Sequence, residues 1–180
     1  VEAYHEDDRP NPINIYGDSK LRGEKEIQEI LSNYLIIRTS WLFGPRGKNF
    51  VDTILKLAKE KKELKVVDDQ VGSPTFTLDM ANAISQLIDL KYKGIIHVAN
   101  SGSCSWYTFA QRIIELSGIN GVSLTPIPSH QSDRPARRPP FSVLDCSRFR
   151  DLTGHLMRGW ESTLAEYLCL RNSTVRRKKI

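Results

Sequence analysis

The chain has 180 residues, which is enough for one ordinary domain with a sizeable apolar core. An apolar content of 39% and a charged content of 26% are typical of a globular protein, and no apolar run is long enough to predict a membrane span or a membrane partner. The net charge of +5 comes largely from the run 176–179 and from Arg134, Arg137 and Arg138. Because no aromatic residues interleave with these charges, we expect no nucleic-acid partner.

The cysteines and histidines exclude two further classes of protein. Cys104, Cys146 and Cys169 are odd in number and far apart in sequence, a pattern that indicates a reducing compartment rather than a disulfide framework. We therefore expect a cytoplasmic protein. Neither the cysteines nor the four histidines have the spacing of a metal-ligand cluster, so the sequence predicts no metal site.

The stretch 14–24 opens a predicted helix that spans about 15–32. Tyr16 and Lys20 are four positions apart, so they project from the same side of that helix. An ammonium beside a phenol favours the phenolate, which suits the pair to proton donation in a sheltered cleft. The same spacing also occurs by chance between exposed residues, and a solvated surface pair is the alternative interpretation.

The predicted helix is amphipathic, and the run after it predicts a strand. We expect the charged residues of the helix, Glu24 among them, to face water. The expected buried stripe consists of Leu21, Ile27, Ile30 and Leu31. The run 34–39 is short, apolar and β-branched, as in an inner parallel strand. A strand directly after a helix is the rhythm of a doubly wound α/β sheet.

Two residues after this strand are candidates for a ligand site. Trp41 follows the carboxyl end of the predicted strand, where ligands bind in open α/β sheets, and we favour this role over core packing. Asn49 precedes a predicted helix that ends near Lys61, so its amide could serve either the helix N-terminus or a ligand. The sequence leaves these two interpretations of Asn49 open.

The rest of the chain continues the alternation of predicted helices and strands. Thr77 is expected to cap a helix, Trp106 to pack in the core, and His97 to be a structural histidine within a strand. Five prolines predict irregular structure over 126–140. The predicted strands are 64–67, 94–99 and 122–125, with a loop-strand segment at 70–75; the predicted helices are 78–90, 105–116, 146–152 and 160–170.

Several strings, in order, resemble the extended short-chain dehydrogenase/reductase family, and within it the dTDP-4-dehydrorhamnose reductases. The stretch 14–24 contains the Tyr-Gly-x-Ser-Lys-Leu-x-Gly-Glu string that carries the catalytic Tyr-x-x-x-Lys of that family. The further matching strings are 6–12, 38–50, 67–75, 105–107 and 136–140. Each string alone is modest, but together they cover roughly residues 4–168.

The resemblance implies an α/β fold, namely the C-terminal part of a doubly wound, Rossmann-like reductase with its smaller α/β substrate-binding domain. None of the 11 glycines forms the Gly-rich dinucleotide fingerprint of that family, so we expect a fragment of a longer reductase. On this basis residues 1–62 are the remnant of the cofactor domain, 63–170 are mainly substrate-binding, and 171–180 form a disordered basic tail.

The resemblance also implies a reaction and a cofactor. The parent protein would pass hydride from NADPH, with NADH left open, to the C4 keto group of dTDP-4-dehydro-6-deoxy-L-mannose, giving dTDP-L-rhamnose. Tyr16 would be the general acid, Lys20 would hold the ribose, and Thr39 and Ser40 would lie at the cofactor. The residues implied at the dTDP-sugar are Trp41, Asn49, Gln70, Val71, Pro74 and Arg138.

Some questions stay open at the level of sequence. The guanidinium of Arg138 suits a diphosphate, but a solvated loop explains it equally well. The resemblance allows a homodimer, and the sequence leaves the oligomeric state open. It also allows a Mg²⁺ ion between subunits, which this sequence does not support. A non-catalytic relative of the same fold, the regulatory beta subunit of methionine adenosyltransferase, provides the alternative function of a partner-binding subunit.

Overall fold

The computed structural model of the protein describes residues 2–132 and 135–177, with backbone alone from 172 onward. The helices are α1 Ile15–Ile30, α2 Phe50–Glu60, α3 Thr77–Asp89, α4 Trp106–Ser117, α5 Ser147–Thr153 and α6 Trp160–Arg177. The strands are β1 Leu35–Arg38, β2 Leu42–Phe43, β3 Glu63–Val67, β4 Val71–Gly72, β5 Thr75–Phe76, β6 Gly94–His97, β7 Cys104–Ser105 and β8 Ser123–Ile127. No described helix is long and apolar enough to cross a membrane.

The strands pair two by two, and most of the pairs are parallel. Strand β1 pairs with β6, β2 with β5 and β3 with β8 in parallel, whereas β4 and β7 are antiparallel. Parallel strands connected through helices confirm the predicted α/β class. They also confirm the predicted parallel strand, because β1 aligns residue by residue with β6, from Leu35 opposite Gly94 to Arg38 opposite His97. Among the described residues β1 pairs with β6 alone, so its expected inner position stays a prediction.

The expectation of irregular structure over 126–140 is wrong at its start. Strand β8 runs through Pro126, which lies opposite Val66, and continues to Ile127. The ring of a proline removes one donor from a strand, and an edge strand tolerates that loss because its outer side needs no partner. Beyond β8, Ser129–Gln131 form a short 3₁₀ turn, and Asp133 and Arg134 lie outside the described residues.

Apolar side chains gather in two clusters. The larger cluster joins α2, α4 and α6 with the inner side of β3, and its members with almost no exposure include Val51, Phe109, Ile113 and Leu164. The smaller cluster lies between α3, β6 and α5 and contains Leu87, Ile96 and Phe149. Helix α2 therefore shares a core with elements that follow residue 62, the boundary expected from the sequence.

Helix ends follow the capping rules in two cases and depart from them in a third. Ser105 caps α4 by accepting a hydrogen bond from the backbone N–H of Thr108, and Gly118 ends the helix in the left-handed region. The predicted cap at Thr77 is wrong. Helix α3 already includes Thr77, and Phe76 occupies the cap position without a side-chain hydrogen bond. The Thr77 hydroxyl lies instead against Gly44, where a Cβ would overlap it.

Helix α1 corrects a third expectation, since none of its residues is buried. Leu21 is half-buried, but Ile27, Ile30 and Leu31 of the predicted stripe are 40%, 78% and 48% exposed. The periodicity identified an apolar face correctly. The described part of the chain contains nothing that covers this face.

At the other end of the chain, α6 extends to Arg177, beyond the predicted end at Leu170. The guanidinium of Arg171 donates to Asp52 on α2 over 2.7 Å, which anchors the turn after Leu170. The predicted disordered tail thus begins inside a helix, and its last residues, 178–180, lie outside the described part of the chain.

Candidate active site

Tyr16 and Lys20 lie on the first turns of α1, on the same side of the helix. Asn14 caps this helix, because its side-chain oxygen accepts from the N–H of Gly17 over 2.8 Å. The ammonium of Lys20 is 5.5 Å from the centroid of the Tyr16 ring. The phenol is 72% exposed, so a ligand can reach it directly.

The start of α1 is tied to the rim of a cavity. The amide of Asn14 donates to the backbone carbonyl of Arg137 over 2.7 Å, and Arg137 lines a cavity of about 610 Å³. The cavity lies between α2, the end of β3 and the segment after β8. Polar and charged residues in its lining are Thr53, Lys65, Asp69, Gln70, Ser129, His130, Ser132, Arg137 and Arg138.

The charge of this lining is mainly positive. Lys65, Arg137 and Arg138 contribute cations, and Asp69 is the acidic member. The hydroxyl and backbone N–H of Ser129 both donate to the carboxylate of Asp69, and these hydrogen bonds hold the pKa of Asp69 below its usual value. Asp69 therefore stays ionised and anchors the segment after β8 to the end of β3.

Thr39 and Ser40 follow β1 directly, because the strand ends at Arg38, one residue before the end predicted from the sequence. The hydroxyl of Thr39 is buried and has no hydrogen-bond partner among the described residues. Ser40 donates to the carbonyl of Ser73 over 2.8 Å. A buried hydroxyl without a partner is costly, so Thr39 is suited to a polar group that approaches the carboxyl end of β1.

Trp41 is half-buried and packs against aromatic and backbone groups. Its ring stacks on Trp106, with centroids 3.5 Å apart and planes 8° from parallel. Gly72 approaches the same indole so closely that a Cβ there would stand 2.5 Å from Cε2. Trp106 lines the cavity and Trp41 does not, so Trp41 supports the cavity wall through its stacking contact with Trp106. A direct contact of Trp41 with substrate stays a prediction.

The other predicted substrate residues divide into two groups. Gln70 and Arg138 line the cavity, with Gln70 only 8% exposed. Asn49, Val71 and Pro74 do not line it. The amide of Asn49 caps α2 through the N–H of Asp52 and also donates to the carbonyl of Gly44, so the helix-end interpretation accounts for its polar atoms. Val71 pairs with Pro140 and Ser142 through its backbone, and Pro74 is buried.

Several features of the site were not predicted from the sequence. Asn14, Lys65, His130 and Arg137 were not singled out, because their proximity depends on contacts between distant parts of the chain. The expectation that Glu24 faces water is wrong. Its carboxylate receives three hydrogen bonds, of 2.9, 3.2 and 2.6 Å, from the guanidinium of Arg38. Glu24 lies two helical turns beyond Tyr16, and that spacing could have placed it on the same face.

Known proteins match this chain closely. A Bacillus subtilis (strain 168) protein named spore coat polysaccharide biosynthesis protein SpsK is 45% identical over 96% of the chain, which spans 60% of that relative. A dTDP-4-dehydrorhamnose reductase of known structure, from Clostridium acetobutylicum, is 43% identical in sequence to this chain. The two structures superpose with a TM-score of 0.90, over 96% of this chain and 61% of the reductase chain.

A third matching protein has been solved with a bound cofactor. The dTDP-4-dehydrorhamnose reductase of Bacillus anthracis, solved in complex with NADP, is 40% identical with a TM-score of 0.89, over 93% of this chain and 59% of that one. The parallel strand pairs, the Tyr16–Lys20 helix and these matches define an α/β protein of the extended short-chain dehydrogenase/reductase class. The family model described as RmlD substrate binding domain matches residues 1–172, and the chain belongs to that family.

Proposed function

We propose that the chain supplies the catalytic helix and the substrate-binding part of an NADPH-dependent reductase. The longer protein reduces the C4 keto group of dTDP-4-dehydro-6-deoxy-L-mannose to give dTDP-L-rhamnose. One contact carries the proposal. The hydrogen bond from Asn14 to the carbonyl of Arg137 puts the helix of Tyr16 at the rim of the basic cavity. A nucleotide diphosphate in that cavity leaves its sugar beside the phenol.

The catalytic steps follow from the positions of Tyr16 and Lys20. NADPH, when bound, supplies the hydride for C4. The phenol of Tyr16 gives its proton to the oxygen that becomes an alkoxide at C4, which is general acid catalysis. The ammonium of Lys20, 5.5 Å from the Tyr16 ring, stabilises the phenolate that remains and is free to reach the cofactor ribose. The hydroxyl of Thr39, which has no hydrogen-bond partner in the described part of the chain, fits a polar group of the cofactor at the end of β1.

The cavity suits the nucleotide part of the substrate. Guanidinium groups bind phosphate oxygens in a fork geometry, and Arg137 and Arg138 both belong to the lining. Gln70 offers an amide donor and an acceptor within the same cavity. Phe50 and Trp106 contribute flat apolar surface, which suits a thymine ring.

Calorimetric titration of the chain with dTDP tests the cavity. We expect Arg138→Gln to weaken binding by about 10–100-fold, because a charge-assisted hydrogen bond is worth roughly 1.5–3 kcal/mol. Arg150→Gln is the matched control, since Arg150 is an exposed arginine on α5 that pairs with Asp151. Equal affinities for dTDP in the two variants would remove Arg138 from the site.

The reaction itself is tested in the full-length protein. Mixing it with NADPH and the dTDP-keto sugar should give NADPH oxidation and dTDP-L-rhamnose in equal amounts. The alternative of a partner-binding subunit predicts no turnover with a correctly folded protein. Binding of dTDP by the isolated chain, measured separately, shows whether a negative result comes from the chemistry or from the site.

A further inference from the structure

An ion pair outside the cavity joins α1 and β1. The guanidinium of Arg38 contacts both carboxylate oxygens of Glu24, through Nε at 2.9 Å and Nη2 at 2.6 Å. The side chains are 21% and 18% exposed, so the pair is largely removed from water. The hydrogen bonds from Arg38 to Glu24 raise the pKa of Arg38, which keeps the guanidinium charged.

The position of Glu24 gives this pair a special relation to the site. Tyr16, Lys20 and Glu24 follow each other at intervals of four residues and share one side of α1. Arg38 is the last residue of β1, directly before Thr39 and Ser40. A bidentate bond between Glu24 and Arg38 therefore fixes the rotation of α1 about its own axis relative to the end of β1.

Other interactions of α1 with the described residues are few. No residue of α1 is buried, so apolar packing does little to set its orientation. The hydrogen bond from the cap residue Asn14 to Arg137 holds the N-terminal end of the helix. A single tether at one end allows the helix to rotate and tilt, and a second contact near its middle removes that freedom.

We propose that Glu24 and Arg38 are positioning residues for the Tyr16–Lys20 pair. They direct the phenol and the ammonium toward the carboxyl end of β1 and toward the cavity rim. This inference rests on the proposed function, because positioning has a kinetic effect only if Tyr16 and Lys20 act in the reaction. The structural part of the inference, that the ion pair orients α1, does not depend on activity.

The kinetic test uses the full-length protein. Glu24→Gln keeps the size of the side chain but loses its charge, and we expect kcat to fall on the order of 10–10²-fold, as for a small misplacement of a catalytic group. The KM for the nucleotide sugar should change less than about twofold, because Glu24 does not line the cavity. Glu26→Gln is the matched control, since Glu26 is an exposed glutamate on the same helix.

Two further variants separate positioning from general stability. Arg38→Lys keeps a charge but loses the fork, so it should give an intermediate kcat. Glu24→Leu with Arg38→Met removes both charges, which avoids an unpaired charge at a largely buried position. We expect this double variant to fold, to retain the sugar KM, and to lose kcat like Glu24→Gln.

Hydrogen exchange gives a readout without turnover. In the double variant, amides of α1 should exchange on the order of tenfold faster, whereas those of β1 and β6 keep their protection. Unchanged exchange in α1, or normal kcat in a variant with a lowered melting temperature, overturns the positioning role. Absence of turnover in the wild-type protein would instead contradict the proposed function and leave the exchange experiment to decide the structural claim.

Discussion

Tyr16 lies at the surface of the chain, with 72% of its area exposed and Lys20 beside its ring. Water weakens the attraction between an ammonium and a phenol oxygen, because the energy of two charges falls with the dielectric constant around them. In the proposed reaction the pair would need a bound substrate and cofactor to exclude water before it could stabilise the phenolate strongly. We therefore expect the proposed catalysis only in the complex and not in the empty chain.

Replacing Tyr16 by Phe tests the proton donor directly. In the full-length protein, kcat should fall by a factor on the order of 10²–10⁴, which is the usual contribution of a positioned general acid. Affinity for dTDP should stay the same, because only the transferred proton is lost. Tyr107→Phe on α4 removes a hydroxyl that accepts from Gln111 and serves as the control. Wild-type turnover by the Tyr16→Phe variant would refute the assigned mechanism.

At the scale of the elements, the end of β2 and the start of α3 pack so closely that there is no room for a side chain at Gly44. Gly44 is buried after β2, and a Cβ there would overlap the Thr77 hydroxyl at the start of α3. Gly44→Ala should lower the free energy of unfolding by about 1–3 kcal/mol, the usual cost of overpacking. Urea unfolding measures this difference.

Two companion variants define the cause of that loss. Gly47→Ala in the same loop should be nearly neutral, because no heavy atom lies within 4 Å of its added Cβ. Adding Thr77→Ala to Gly44→Ala removes the hydroxyl and should recover part of the stability. If Gly44→Ala and Gly47→Ala destabilise equally, the close contact with Thr77 is not responsible.

Local sequence signals predicted most elements but not what surrounds them. Helices α2 and α4 were predictable because apolar spacing and a capping Asn49 or Ser105 act within one turn. The stripe of α1 was misjudged because periodicity identifies an apolar face and says nothing of its partner. The cavity depends on residues near 65 and near 137 meeting in space, and no local pattern contains that contact.

For the whole molecule, the described residues form two apolar clusters, and the proposed division into a cofactor remnant and a substrate-binding part stays a prediction. The 180 residues contain no Gly-rich turn to hold a pyrophosphate. We therefore expect the isolated chain to bind NADPH only weakly, with a Kd above the micromolar range. Calorimetric titration with NADPH, with dTDP as the positive control, measures this. Micromolar affinity for NADPH would contradict the fragment interpretation.

The stability of the whole chain should also depend on His97. Its ring is 1% exposed and bonds through Nδ1 to the carbonyl of Tyr4. Burial lowers the pKa of His97, with Glu6 acting against this and Arg38 adding to it. The unfolded chain thus binds a proton more readily than the folded one. The free energy of unfolding is therefore undiminished by His97 at a pH above the ordinary histidine pKa of about 6.5. It decreases as the pH falls below that value.

Denaturant titrations between about pH 4.5 and 7 test this dependence, above the range in which most carboxylates titrate. His97→Gln should flatten the decrease of unfolding free energy on the acid side of that window. His155→Gln, which changes an exposed histidine, should leave the decrease as in the wild type. An unchanged slope for His97→Gln would show that other groups take up the protons.

The parallel indoles of Trp41 and Trp106 also have an optical consequence. Two stacked chromophores couple their electronic transitions, and the coupling produces a paired positive and negative band in circular dichroism that either ring alone lacks. Its amplitude depends on the separation of the rings, whose centroids are 3.5 Å apart, and on the rotation of one ring relative to the other within planes that are 8° from parallel. Because Trp106 also lines the cavity, entry of the proposed nucleotide should change this band if it shifts either ring. Such a change would report occupancy of the cavity without an added label.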